Sequence, residues 1–279
     1  YCSACVRAKV VQKQARRVNR GDKRREARGL DPEPVPKKFG DLLTADEAVL
    51  QSETDRGISG EGEMANAMVI QDIATKWREF APMANKSTGE AKRALRQFVG
   101  TATVRKFYSD NAGELLKAAD ELGWVHDTST PYRHESNSLA ERDVKGAKEG
   151  TRTVLVRAGL PPKWWPLAGK HFVFSLNIEK FNSELMSPWA ARHGGKEFWG
   201  MKIPFGALCH FRPVEPKREL LPEFAPRAIP GIFLGYFLLP GGRWKGDYLV
   251  ADLDDFRTGR NIHIQRIKEV VQELSLIHL

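Results

Sequence analysis

Ser109-Asp110-Asn111-Ala112-Gly113-Glu114, continued by Thr130-Pro131-Tyr132-Arg133-His134-Glu135-Ser136-Asn137-Ser138-Leu139-Ala140-Glu141-Arg142, is the stretch on which the fold turns. Asp110 follows Ala102–Tyr108, which reads as a strand. The second half is a Pro-led loop that runs into a helical pattern, so Glu141 falls in the first turn of a helix. A carboxylate at a strand end and one in a helix's first turn can share a divalent cation. Hard cations such as Mg²⁺ take carboxylate oxygens together with water and phosphate, and a pair of such ions clamps the attacking and leaving oxygens of a phosphoryl transfer. Glu141 also has a purely local reading. Ser138-x-x-Glu141 is a capping box, in which the carboxylate satisfies a backbone N–H.

Working outward, the helix after Asn137 has the clearest period. Ala140, Val144, Ala147, Thr151, Val154 and Ala158 recur at steps of three and four and predict one buried stripe. Glu141, Lys145, Lys148 and Arg152 recur at the same steps on the neighbouring stripe. One face therefore carries the candidate metal ligand and then three cations, either a DNA phosphate contact or a solvated face. Upstream, Phe39–Val49, Ala65–Ile70 and Trp77–Met83 read as strands, and residues 51–63 as a loop. Asp72 reads as a polar strand end. Ser87 or Thr88 caps a helix over Gly89–Phe98 with Ala91, Ala94, Leu95 and Phe98 inward, stopped by Gly100. Gly113–Leu122 is a further helix, with Leu115, Leu116, Ala119 and Leu122 inward, and Trp124-Val125-His126 opens another strand. Three strands, helix, strand, helix, strand, helix predicts an α/β domain with a mixed sheet.

The motif residues carry a resemblance. Ser-Asp-Asn-x-Gly-Glu, then Thr-Pro-Tyr, then Asn-x-x-Ala-Glu-Arg resembles the integrase core of copia-type retrotransposons, relatives of retroviral integrases. The resemblance implies a ribonuclease H-like fold and an Asp, Asp, Glu triad holding Mg²⁺ (or Mn²⁺). By motif position Asp110 is the second Asp and Glu141 the Glu. Gly40-Asp41-Leu42-Leu43-Thr44-Ala45-Asp46 fits the opening that carries the first, so Asp46 takes that place. Residues 111–140 separate the last two acids, 30 in all, a little fewer than is usual in the family. The family's Pro-Gln-Gln-Asn-Gly loop reads His134-Glu135-Ser136-Asn137-Ser138 here. The implied activity is trimming of element DNA ends and joining of the 3′-hydroxyl to target DNA. The implied partners are element and target DNA, further copies of the chain on DNA, and other polyprotein products. The implied place of action is the nucleus, after passage through the cytoplasm. Two alternatives stay open: an inactive relic or co-opted module that only binds DNA, and a ribonuclease H-like nuclease without a joining step.

Composition agrees with a polyanionic partner such as nucleic acid or a membrane surface. The 279 residues carry a net charge of +9, with 41% hydrophobic and 9% aromatic content, enough for a sizeable core. Three cysteines give no disulfide framework, which points to a reducing compartment. No apolar run approaches a membrane span. No signal peptide is visible and the chain opens without Met, as expected of a piece of a longer polyprotein. Cys2-Ser3-Ala4-Cys5 has the spacing of half a zinc site, though two unrelated cysteines would look the same; the resemblance implies a His pair upstream that would close it. The basic run Arg7–Arg28 is a charged linker or a phosphate-contacting arm, and Asp31–Pro36 an extended spacer. Leu160–Leu176 reads as a helix with a broad apolar face, in which His171 is a packed core residue. Beyond Phe205, strands at Ile229–Leu238, Lys245–Val250 and Ile262–Ile267 separated by Pro240-Gly241-Gly242 and Thr258–Asn261 predict hairpins of a small β-rich module. Cys209 and His210 take no role. The expected division is a truncated zinc-type module and linker at 1–36, a catalytic core at 37–182, a connector at 183–204 and the β-rich module at 205–270.

Overall fold

The computed structural model describes residues 35–49, 56–60, 62–128, 138–179, 186–215, 218–219, 222–258 and 262–272. Cys2, Cys5, the basic run Arg7–Arg28 and the loop Thr130–Asn137 lie outside them, as does the side chain of Ser138 that the capping reading needs.

The first sheet holds β1 (Leu43–Val49), β4 (Asn66–Asp72), β5 (Arg78–Met83), β6 (Phe107–Ser109) and β7 (His126–Thr128), in the order β5-β4-β1-β6-β7. β1 pairs antiparallel with β4, and β4 with β5, while β6 and β7 run parallel to β1. A three-strand meander followed by two parallel additions on its first strand is the mixed, ribonuclease H-like sheet expected. Side chains alternate across a strand, so Ala45, Met68 and Ile70 face α1 (Thr88–Val99) and α2 (Gly113–Glu121), while Ala48, Ala67 and Val69 face α3 (Ser138–Ala158) and α4 (Trp165–Glu179).

The helices follow their sequence pattern closely. Ser87 caps α1 by accepting the Glu90 N–H at 3.4 Å, and Gly100 ends it at φ 64°. Ala91, Ala94, Leu95 and Phe98 are buried as predicted. In α2 the buried residues are Leu115, Ala118 and Ala119, whereas Leu116 and Leu122 are half-buried. In α3 the stripe Ala140, Val144, Ala147, Thr151 and Ala158 is buried, with Leu155 taking the place expected of Val154. His171 on α4 is indeed core. Its Nε2–H donates to the Ile203 carbonyl at 3.0 Å, and burial pushes its pKa down to about 4, so it is neutral.

Several strands differ from expectation. β1 begins at Leu43, because Lys38–Leu42 form a turn tied by Asp41, whose Oδ2 accepts the Lys37 and Lys38 N–H groups. Residues 102–106 are not in the ladder. They lie against that turn instead, where Arg105 N–H donates to the Gly40 carbonyl at 2.8 Å. The stretch read as a loop at 51–63 contains a small hairpin, β2 (Gly57–Ser59) with β3 (Gly62–Met64), seated on α4 and a 3₁₀ turn at Pro162–Trp164. Gly57 permits that seat, since a Cβ there would stand 2.4 Å from the Trp165 indole nitrogen.

After α5 (Pro188–Arg192), a second, antiparallel sheet runs β11 (Ile264–Ile267), β10 (Arg243–Asp252), β9 (Ile229–Leu239), β8 (Leu208–Phe211), β12 (Val270–Gln272), with α6 (Leu253–Thr258) following β10. It shares its core with the first sheet. Trp77, Phe174 and Trp189 cluster with Phe233, Tyr236 and Trp244, and the Phe174 and Tyr236 rings are 4.5 Å apart. The β9–β10 turn docks on α1, with Gly241 N–H donating to the Gln97 carbonyl at 2.7 Å. Arg192 adds a strap, its guanidinium 3.4 Å from the Phe39 ring and bonded to the Val99 carbonyl at 3.1 Å. Among the described residues no helix is long and apolar enough to cross a membrane.

Candidate active site

β1 and β6 are parallel neighbours, with Thr44 beside Tyr108. Asp46 lies two residues further along β1, and Asp110 directly follows β6. Both carboxylates therefore stand at the same end of the sheet. Even-numbered β1 side chains face α3, so Asp46 points toward the helix that carries Glu141. Asp46 and Glu141 line one open cleft of about 460 Å³ with Val144, Lys145, Lys148, Glu149 and Arg152. The charged stripe read from the helical period thus faces the acid of β1, and Glu141, Lys145 and Arg152 are exposed.

The electrostatics tie Asp110 to this cleft although it does not line it. Burial raises the Asp46 pKa, and the charges of Asp110 and Glu141 raise it further. The Glu47 N–H that Asp46 Oδ1 accepts at 2.8 Å opposes this, as does the Lys148 ammonium. Among the described residues, no group of three His, Cys, Asp or Glu side chains converges closely enough to hold a metal ion. Asp46, Asp110 and Glu141 are neighbours in the field they exert, not a closed ligand set. The donor chemistry, carboxylate oxygens beside an open cleft, fits a hard divalent cation. Like charges crowded on a half-buried Asp46 are what such a cation would relieve.

Asp110 is anchored locally. Its Oδ1 accepts the Ala112 N–H at 3.3 Å. Its carbonyl accepts the Ser109 hydroxyl at 2.8 Å, and Ser109 Oγ lies 2.9 Å from His126 Nε2. The Ser109 proton is given to that carbonyl, so His126 must donate from Nε2. Burial lowers the His126 pKa, consistent with the neutral ring. Asp72, by contrast, is a structural knot. It is fully buried and accepts the Gly40 N–H at 2.9 Å and the Thr75 N–H and hydroxyl, both at 2.7 Å.

Two residues at this end of the sheet, Glu47 and Lys86, went unnoticed in the sequence. Glu47, Glu114 and Lys86 form an ion cluster on the opposite side of β1 from Glu141, with Lys86 Nζ 3.3 Å from Glu47 and 2.8 Å from Glu114. Glu114 belonged to the quoted motif, but nothing in the order of residues links it to Lys86. A second cavity, about 410 Å³, lies between β5, α4 and the second sheet, lined by Phe80, Phe174, Tyr236 and Leu238 among others. Glu79 is its unusual member, since burial pushes its carboxyl up to about 7 against a weaker pull from Lys170.

No family model matches the chain. Two curated relatives are retrovirus-related Pol polyproteins from Arabidopsis thaliana. That of transposon RE2 is 33% identical over 208 residues and that of transposon RE1 30% identical over 210. Each alignment covers 71% of this chain but 14% of the relative, so the chain spans about a seventh of their length. Among solved structures, the catalytic core domain of BIV integrase aligns with 54% of this chain and 91% of its own, at 15% identity and a TM-score of 0.39. The HTLV-2 integrase catalytic core domain in complex with magnesium aligns with 55% and 97%, at 14% and 0.41. A simian T-cell lymphotropic virus intasome in complex with PP2A regulatory subunit B56 gamma aligns with 88% and 85%, at 14% and 0.44. Over most of its length, then, this chain is homologous to one segment of the retrovirus-related Pol polyproteins of Arabidopsis thaliana transposons RE2 and RE1.

Proposed function

We propose that this chain is a metal-dependent DNA strand transferase, which trims the 3′ ends of element DNA and joins them to target DNA. The observation that supports it best is the shared cleft. Asp46 and Glu141 stand beside Lys145, Lys148 and Arg152, with the Asp110 charge acting on Asp46. Asp46, Asp110 and Glu141 would hold Mg²⁺ or Mn²⁺, which supplies Lewis acidity and lowers the pKa of bound water. Glu141 is exposed and lines the same cleft as Asp46. Lys145, Lys148 and Arg152 bind phosphates on both sides of the scissile bond and orient the duplex along α3. In trimming, water oxygen bonds to phosphorus as the P–O3′ bond breaks; the water proton leaves for solvent, and the departing 3′ oxygen takes a proton from solvent to become a hydroxyl. In joining, the new 3′-hydroxyl makes the same displacement at a target phosphodiester. No covalent enzyme intermediate is required.

The partners in this reading are element ends, target DNA, further copies of the chain and other polyprotein products, meeting in the nucleus after passage through the cytoplasm. Cys2 and Cys5 would contribute half a zinc site completed by upstream ligands. The catalytic core spans 37–182, followed by the connector 183–204 and the β-rich segment 205–270.

One observation favours the second reading, a module that binds DNA without cutting it: no three acids converge among the described residues. The deciding experiment is strand transfer on a labelled duplex, with thermal melts with and without Mg²⁺. Asp46→Asn, Asp110→Asn and Glu141→Gln are expected to stay folded and bind DNA, yet lose joining, cleavage and the Mg²⁺-induced shift. Asp120→Asn, on the exposed face of α2, is expected to keep all of them. Cleavage without joined product would leave a nuclease. No activity and no metal response in the unmodified chain would leave the binding module.

A further inference from the structure

Five acids gather at one end of the first sheet: Asp46, Glu47, Asp110, Glu114 and Glu141. The proposed reaction uses three. The other two meet one cation. Lys86, in the turn between β5 and α1, places Nζ 2.8 Å from Glu114 Oε1 and 3.3 Å from Glu47 Oε2. The Glu47 side chain is 6% exposed and that of Glu114 18%, whereas Lys86 is 46% exposed. The carboxylates are thus set inward, and the ammonium reaches them from the rim. Adjacent residues of a strand point to opposite faces. Asp46 therefore faces α3, and Glu47 faces the side of α1 and α2. Asp110 directly follows β6, the parallel neighbour of β1, and so stands at the same end of the sheet as both Asp46 and Glu47. A divalent cation drawn to Asp110 could find partner carboxylates on either face of β1.

We infer that Lys86 is a positioning residue, an internal counter-cation that engages Glu47 and Glu114 and so directs divalent cations to the Asp46 and Glu141 side of Asp110. The identity of that favoured side rests on the proposed function. The masking of Glu47 and Glu114 rests on the ion cluster alone. Removing the ammonium leaves two inward carboxylates uncompensated, a costly state that protons or a divalent cation would relieve.

The test is Mn²⁺ binding, read from the loss of the free-ion electron paramagnetic resonance signal, on the whole 279-residue chain. Lys86→Met and Lys86→Gln are expected to bind Mn²⁺ about tenfold more tightly, a factor taken from the lower end of what an opposite neighbouring charge does to a carboxylate's proton affinity. Glu114→Gln added to Lys86→Met should return binding to that of the parent, and Lys86→Arg should not depart from it. Unchanged binding in both neutral variants overturns the inference, as does a gain that survives Glu114→Gln. Unfolding of both neutral variants, seen by circular dichroism, would make Lys86 a structural residue and overturn it too. If the parent and Asp110→Asn bind Mn²⁺ alike, the proposed active site fails by itself. The Lys86 gain and its reversal by Glu114→Gln would still decide the masking role.

Discussion

Asp46 and Asp72 are both acids on central strands of one sheet, and burial raises both pKa values, yet their hydrogen-bond partners differ. Asp72 accepts three hydrogen bonds, from Gly40 and Thr75, with no solvent contact. Asp72→Asn replaces an acceptor oxygen by a donor facing donors. It should cost about 1–3 kcal/mol, seen as a lower urea midpoint with an unchanged slope. Asp46 accepts one N–H and is crowded by Asp110 and Glu141. Asp46→Asn should therefore leave stability unchanged or raise it in metal-free buffer. A fall in the urea midpoint for Asp46→Asn as large as that for Asp72→Asn would mean that Asp46 also holds the fold.

Elements decide where charge acts. On α3, Lys145 and Lys148 follow Glu141 at helical steps and line the cleft with it. Reversing both, Lys145→Glu with Lys148→Glu, should weaken DNA binding and flatten its salt dependence, by roughly 0.9 in the log–log slope per lost phosphate contact. An unchanged slope would mean a solvated face. On β5, Glu79 lines the cavity against the second sheet, with a pKa raised from an ordinary 4.5 to about 7. The folded chain holds this proton more tightly than the unfolded one. The stability it contributes is therefore full below pH 4.5 and is lost as pH rises through about 7. Glu79→Gln removes that loss, so its melting temperature should exceed the parent's at pH 8 and match it near pH 4. Parallel pH profiles for the two proteins would count against this.

At the scale of the whole molecule, the two sheets form one hydrophobic core. Phe174 and Trp189 from the first part pack with Phe198, Tyr236 and Trp244, and the β9–β10 turn sits on α1 and Trp77. Gly242 is a sensitive point of that seat. Its φ is 71°, and a Cβ would stand 2.4 Å from Trp77 Cζ2. Gly242→Ala should cost on the order of 1–3 kcal/mol from overpacking and the left-handed backbone. Calorimetry should show a single transition for both sheets, shifted down by this substitution. Two transitions, with only the second moved, would mean that the sheets unfold separately.

Much of this was legible in the order of residues. The motif around Asp110 and Glu141, the stripes of α1 and α3, and the apolar runs of β4 and β5 depend on periods and spacings that a chain carries by itself. The sequence likewise places Glu141, Lys145, Lys148 and Arg152 on one side of a helix, because 3.6 residues per turn dictates it. Which side of Asp110 they face, and that Asp46 faces them, needed the strand pairing of β1 with β6. The strand at 102–108 shrank to three residues because its first part bonds to the Gly40 turn, a contact across 65 residues that no local pattern records. Lys86 with Glu47 and Glu114, Asp72 with Gly40, and Trp77 with Gly242 are likewise pairs that only folding brings together. Periodicity fixes which face of an element is apolar. What that face and its charged neighbours meet is decided by long-range packing, where the energy of a contact depends on residues far away in the chain.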